Sequence, residues 1–187
     1  MNKYHIGLKF NIPLFTDDSI IEKFFLFGSW RGSSNQLERV NPELIKWLAS
    51  KEMLAVACDY FVREPFESAF IHVDGPPDPQ GGKGKLNWIY GQDDNSKMNW
   101  FEPIDKSKYK TLHYGIPLTV YDEDNVRLIE SATIAGTPSL VNVAEPHNIV
   151  NGANRRLCVC LYLKDKRTNE SPTWDRCIEV FKEYAIQ

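Results

Sequence analysis

The 187-residue chain lacks several features that would narrow its function at once. Its longest apolar runs, such as Leu157 to Leu163, fall far short of the roughly 20 residues that a membrane-spanning helix needs. The first ten residues alternate polar and apolar side chains where a secretory signal would place a basic stretch before an apolar one, so a cytoplasmic protein is expected. There is no basic excess: 22 Lys and Arg stand against 25 Asp and Glu, for a formal charge of -3. Nucleic-acid binding normally shows a basic face that neutralises phosphates, so none is expected here. Cysteine is scarce. Cys58, Cys158, Cys160 and Cys177 include no C-x-x-C pair, three of them sit inside apolar patterns, and no motif supplies the partners that a zinc site would need. They read as packing thiols. Internal repeats and low-complexity segments are also missing.

What is present is a core. With 42% apolar and 12% aromatic residues, a chain of this length buries roughly 70% of its unfolded surface and folds as one domain without staples. Tyr4 to Ile12 alternates as a first strand. Asp17, Asp18 or Ser19 caps a helix through Ile20, Ile21, Phe24 and Phe25. A second helix is better punctuated, with Asn41 as N-cap, Pro42 at the first position, and Leu44, Trp47 and Leu48 on one face. From Met53 the pattern becomes short apolar stretches between turn residues: 54–62, 69–73, 85–90, 116–121, 126–134, 139–144 and 156–163. Such a series predicts an antiparallel sandwich or barrel over residues 53–163. A last helix runs from Thr173 to about Tyr184, with Cys177, Ile178 and Phe181 on its buried side. Residues 1–52 and 164–187 thus flank the barrel, and Lys164 to Arg167 read as a solvated turn. The loop from Gly75 to Gly84 and the polar stretch around Arg31 are the irregular segments; Arg31 reads as a solvated loop charge, with a lid over a site as the alternative.

One constellation carries chemistry. In Phe70-Ile71-His72-Val73-Asp74, strand alternation projects His72 and Asp74 to the same side. His147 follows much later, after Ser139 to Pro146. Two imidazoles and a carboxylate on one face of a metal form the facial triad of non-heme Fe(II) sites, which leaves three positions open. After His147, Asn148 to Asn154 read as a polar turn. The strand from Arg156 then places Arg156, Cys158 and Cys160 on one face and Leu157, Val159, Leu161 and Leu163 on the other. A guanidinium among small side chains suits the distal carboxylate of a small diacid beside the metal, and a short hairpin would return Arg156 there. A one-residue bulge would instead turn Arg155 inward. His5 and His113 read as ordinary, and Trp88 and Trp100 as core residues, with Asn99, Trp100 and Phe101 also eligible to line a mouth.

At His72, Asp74, His147 and Arg156 the chain resembles the Fe(II)- and 2-oxoglutarate-dependent dioxygenase superfamily, whose fold is mainly β, a cupin-like double-stranded β-helix or jelly roll. The stretches F-I-H-V-D-G, K-L-N-W-I-Y, M-N-W-F and P-S-L-V-N-V-A-E-P-H-N-I-V-N are similar to small single-domain members. The resemblance implies Fe(II) on His72, Asp74 and His147, 2-oxoglutarate anchored by Arg156, and Asn87 near that co-substrate. It implies oxidative decarboxylation of 2-oxoglutarate to succinate, coupled to hydroxylation of a small molecule or a protein side chain. Because Asp74 is a carboxylate, the halogenase variant is disfavoured. Two rivals stand beside this expectation: a catalytically silent jelly-roll binding or structural module, and a cupin-like metalloprotein that does not use 2-oxoglutarate.

Overall fold

A computed structural model describes residues 2–27, 36–75, 83–91, 93–113, 117–134 and 138–186. Local hydrogen-bonding chemistry starts its helices. Helix α1 (Ser19–Phe27) begins where the Asp17 carboxylate accepts the Ser19 N–H at 2.9 Å and the Ser19 hydroxyl at 2.8 Å. In α2 (Pro42–Ser50), Asn41 Oδ1 accepts the Glu43 N–H at 2.9 Å, and Pro42 stands where a helix has no partner for an N–H. Thr173 caps α3 (Trp174–Phe181) by accepting the Arg176 N–H at 3.2 Å. The expected helix to Tyr184 therefore ends earlier and tightens into a 3-10 turn over Lys182–Tyr184.

The strands are β1 (His5–Gly7), β2 (Met53–Arg63), β3 (His72–Asp74), β4 (Gly84–Tyr90), β5 (Lys97–Pro103), β6 (Lys110–His113), β7 (Pro117–Val120), β8 (Val126–Ala132), β9 (Ser139–Asn142), β10 (His147–Val150) and β11 (Arg156–Asp165). They pair antiparallel in two sheets, ordered β1-β9-β4-β11-β2 and β6-β7-β3-β10-β5-β8. From β2 to β5, and again from β8 to β11, successive strands fall in alternate sheets, which is the winding of a jelly roll. The mainly β, double-stranded β-helix fold with flanking helices is the one observed.

Several boundaries differ from the sequence pattern. The strand expected over Tyr4 to Ile12 is regular only across β1, because Leu8 leaves β9 to bridge Ala185. Residues Asn148 to Val150, expected as part of a polar turn, join His147 in β10, which is bonded to β5 along its whole length. Strands β5 and β6 have no counterpart among the stretches expected from the sequence; in β5 the alternation of Lys97 to Trp100 breaks at Phe101, where the strand carries a bulge. Asp165 is not solvated. It is 3% exposed, and its carboxylate accepts hydrogen bonds from Arg167 Nη2 and Arg176 Nε, each at 3.0 Å.

Two packing layers hold the sheets. Helices cover the outer face of the five-stranded sheet, where Leu86, Leu157 and Leu161 meet Leu44 and Leu48 of α2 and Phe181 of α3. Fully burying a side chain of this kind stabilises by roughly 1.5–3 kcal/mol. Between the sheets lies a smaller cluster that includes Ile89, Met98, Trp100, Val141 and Cys158. Trp100 belongs to that core, not to a mouth: it is fully buried, and its Nε1–H donates to the Asn142 carbonyl at 2.9 Å.

Candidate metal centre

The short strand β3 is oriented by its apolar neighbours. Ile71 and Val73 pack with Tyr121 in a third buried cluster, which turns the alternate residues His72 and Asp74 to the other side. Strand β10 pairs beside β3 with His147 directly opposite His72. The two rings lie 4.5 Å apart between centroids, at 48°. Asp74 Oδ1 is 3.6 Å from His72 Nε2. One ligand atom from each of His72, Asp74 and His147 falls within 4.8 Å of the others, and this is the one group among the described residues placed to hold a metal ion.

Backbone carbonyls select the tautomers. His72 Nδ1 lies 2.9 Å from the Phe70 carbonyl oxygen, and His147 Nδ1 lies 2.9 Å from that of Glu145. A carbonyl only accepts, so each Nδ1 carries its hydrogen and each neutral ring keeps a lone pair at Nε2. This is the outer arrangement that orients metal-binding histidines. Burial pushes the His147 imidazole down to about 4, so the ring is neutral at pH 7.

The facing wall comes from the other sheet. Because β10 and β11 lie in different sheets, the chain crosses between them here and makes no hairpin. Arg156 therefore approaches the triad from the opposite side, buried, at the start of β11. It lines a cavity of about 140 Å³ together with the triad, Asn87, Cys158 and Cys160. The expected alternation of β11 is what the structure shows: Arg156, Cys158 and Cys160 face the cavity, while Leu157, Val159, Leu161 and Leu163 pack under the helices. All four cysteines are buried, and burial raises the thiols of Cys158 and Cys160, so both stay protonated at neutral pH. Arg155 takes the other side of the strand, where it pairs with Glu64 at 3.0 Å and donates to the Leu26 carbonyl at 3.3 Å.

Asn87 also reaches the cavity. Its buried Oδ1 has no hydrogen-bond partner among the described residues, and an unbonded buried acceptor costs on the order of 1–3 kcal/mol. Arg31 and residues 76–82 of the irregular loop lie outside the described residues, as does the His113 side chain. His5 stacks on Trp100 at 5.4 Å between ring centroids.

Two charged cavity residues, Lys85 and Arg63, are not among those singled out in the sequence. Lys85 Nζ donates to Asp74 Oδ2 at 2.6 Å and sits 4.1 Å from the centre of the Tyr162 ring. Burial alone would push the Asp74 carboxyl up, but the Lys85 ammonium, with His147 and His72 behind it, holds it well below the usual carboxylate range. Arg63, opposite Arg156 in the β2–β11 register, also lines the cavity. A signal for Lys85 existed: it is two residues before Asn87, so the alternation that turns Asn87 inward turns Lys85 inward too.

Fold and site together define a class of protein: a jelly roll with a two-histidine, one-carboxylate constellation on one sheet and a cationic wall on the other. No family model and no curated protein matches the chain. Among solved structures, it is similar to an oxidoreductase of the 2OG-Fe(II) oxygenase family from Burkholderia pseudomallei, at 15% identity and a TM-score of 0.41, covering 70% of this chain and 55% of that one. It is also similar to AviO1 from Streptomyces viridochromogenes Tue57, at 16% identity and a TM-score of 0.43, covering 91% of this chain and 94% of that one. The chain thus spans little more than half the length of the Burkholderia protein. Among the described residues, no helix is long and apolar enough to cross a membrane.

Proposed function

We propose that this chain is an Fe(II)- and 2-oxoglutarate-dependent oxygenase that hydroxylates a small molecule or a protein side chain. One observation carries the reading: His72, Asp74 and His147 converge within 4.8 Å on one wall of a cavity whose facing wall holds the buried Arg156. The donor set fits the metal, since two neutral imidazole nitrogens and one carboxylate leaving open positions suit non-heme Fe(II). The cavity lining fits the co-substrate in charge. Arg63, Lys85 and Arg156 against Asp74 give the lining an excess of positive charge, which suits a dianion.

His72 and His147 would hold the metal through Nε2, and Asp74 through Oδ1. When bound, iron and 2-oxoglutarate supply dioxygen-driven oxidation of a C–H bond, coupled to release of carbon dioxide and succinate. Arg156 would pair with the distal carboxylate of the co-substrate, the fork of its guanidinium matching the two oxygens. Asn87 offers its unbonded acceptor to a donor on the ligand or to a water held with it. The two sheets exclude solvent around these groups, which strengthens each electrostatic contact.

The test is succinate release. Purified protein with Fe(II), ascorbate and 2-oxoglutarate is expected to yield succinate slowly without a prime substrate, and a His72→Ala variant is expected to yield none. Equal succinate from both proteins, or none from either together with no thermal shift on adding metal and 2-oxoglutarate, would count against the reading and favour a silent binding module.

A further inference from the structure

The Lys85–Asp74 pair is costly to explain as a stabilising salt bridge. Both side chains are largely withdrawn from water, at 12% and 18% exposure. Removing two charges from solvent commonly offsets what their attraction returns. Its geometry instead acts on the metal site. A free carboxylate can offer both oxygens to a cation. Here Oδ2 is already taken by Lys85 Nζ at 2.6 Å, and it is Oδ1 that lies 3.6 Å from His72 Nε2. Lys85 is itself held: its ammonium sits over the Tyr162 ring at 4.1 Å, and its backbone lies within the β4–β9 ladder opposite Val141. The pair therefore spans the cavity, tying a ligand on one sheet to a fixed cation on the other.

We infer that Lys85 is a positioning residue that confines Asp74 to binding the metal through Oδ1 alone. The inference rests on the proposed metal site and adds a residue to it. With three protein atoms on the ion, three of six positions stay open; with both Asp74 oxygens bound, two would. A bidentate co-substrate and dioxygen together require three. Lys85 thus keeps the last position available and leaves the count of open sites to a residue that never touches the ion.

The experiment uses Co(II), whose visible spectrum reports coordination number and symmetry, in the full-length protein. Wild type, Lys85→Met and Lys85→Arg are each titrated with Co(II) and then with 2-oxoglutarate. Lys85→Met, which keeps the chain length and frees Oδ2, is expected to show a changed Co(II) spectrum and a roughly 10–100-fold weaker response to 2-oxoglutarate, the usual scale for losing a partner of a metal ligand. Lys85→Arg, which keeps a cation on Oδ2, is expected to restore the wild-type spectrum. A folded Lys85→Met variant whose spectrum and 2-oxoglutarate response match wild type overturns the inference, as does a Lys85→Arg spectrum that follows Lys85→Met. Should Lys85→Met fail to fold, a crystal structure of Co(II)-loaded wild type decides: Asp74 bound through one oxygen with Lys85 on the other supports the inference, and both oxygens on the ion overturn it. A wild-type protein that takes up no Co(II) overturns the metal site itself, an outcome distinct from all the others.

Discussion

Arg156→Met separates the metal half of the proposed site from the co-substrate half. Methionine keeps much of the arginine stem's volume and removes the charge, so no large cavity opens. The charge it removes faces another: Arg63 lies opposite Arg156 in the β2–β11 register, and burial together with Arg156 lowers the Arg63 guanidinium. Like charges directly opposite each other are destabilising, so the substitution is expected to leave the unliganded melting temperature within about 4 °C of wild type. A ligand at 100 times its dissociation constant stabilises the fold by about 2.7 kcal/mol, which for a chain of this size is a rise of about 5–11 °C. Melting is measured at pH 7 with no addition, with Mn(II), and with Mn(II) plus 2-oxoglutarate. Wild type is expected to rise at both steps, and Arg156→Met only at the first. A variant that keeps the full 2-oxoglutarate step would refute the assignment and move the anchor to Arg63 or Lys85. A variant that loses the Mn(II) step as well would show Arg156 supporting the triad instead of the co-substrate.

Two further outcomes follow from buried charges. Asp165→Asn breaks a carboxylate held by Arg167 and Arg176 where β11 meets α3, and losing one partner of a buried pair costs about 3–5 kcal/mol, or roughly 6–20 °C in melting temperature. Hydrogen bonds from Arg167, then from Arg176, hold the Asp165 carboxyl down to about 2, below an ordinary 3.8. A depressed carboxylate stabilises the fold above its unfolded value, so the gap between wild type and Asp165→Asn is expected to be constant from pH 7 to 5 and to shrink by about 2 kcal/mol as pH falls from about 4 to 2; a gap as large at pH 2 as at pH 7 contradicts the ion-pair account. In metal-free protein, burial lowers His147 from 6.5 to about 4, so the unfolded chain binds the extra proton first. Urea titrations are expected to show about 3 kcal/mol of stability lost between pH 6.5 and 4, and a His147→Gln variant with the same slope would exclude His147 as its source.

Much of this was legible because it rests on short-range rules. Asn41-Pro42 announces a helix start through a bond to a residue two positions away, and Ser171-Pro172 announces the last helix, whose cap is Thr173, one residue before the helix begins. In β11, period-two alternation sorts a polar face from an apolar one, and the structure keeps that sorting from Arg156 to the bulge after Tyr162. The spacing His72-x-Asp74 fixes a common face whatever the fold. What stayed hidden depends on partners distant in the chain or on marginal local pattern. Strand β10 has four residues, two of them polar, and exists because β5 and β3 flank it. Lys85 reads as an ordinary strand lysine until the winding puts β4 in the sheet opposite β3. Asp165 sits in a run of charges, and only the return of α3 brings Arg176 to it.

The charge of the candidate site also shows why composition could not reveal it. The chain carries a net -3, yet the cavity lining holds three cations and one carboxylate. Surface charges many ångströms apart are screened by salt, whereas groups enclosed between two sheets interact through a medium of lower effective dielectric. Four inward-facing side chains can therefore set the local potential against the sign of the whole molecule. Their placement is a property of strand parity: Arg63, Lys85 and Arg156 all occupy positions on the inner face of one sheet, and a one-residue slip in any of their strands would turn that strand's cation toward the helices. The apolar layer of Leu86, Leu157 and Leu161 under those helices resists such a slip, because it would expose each leucine to the cavity and drive a charge into the outer core. The packing of the outer core is thus what fixes the sign of the charge that an incoming ligand meets.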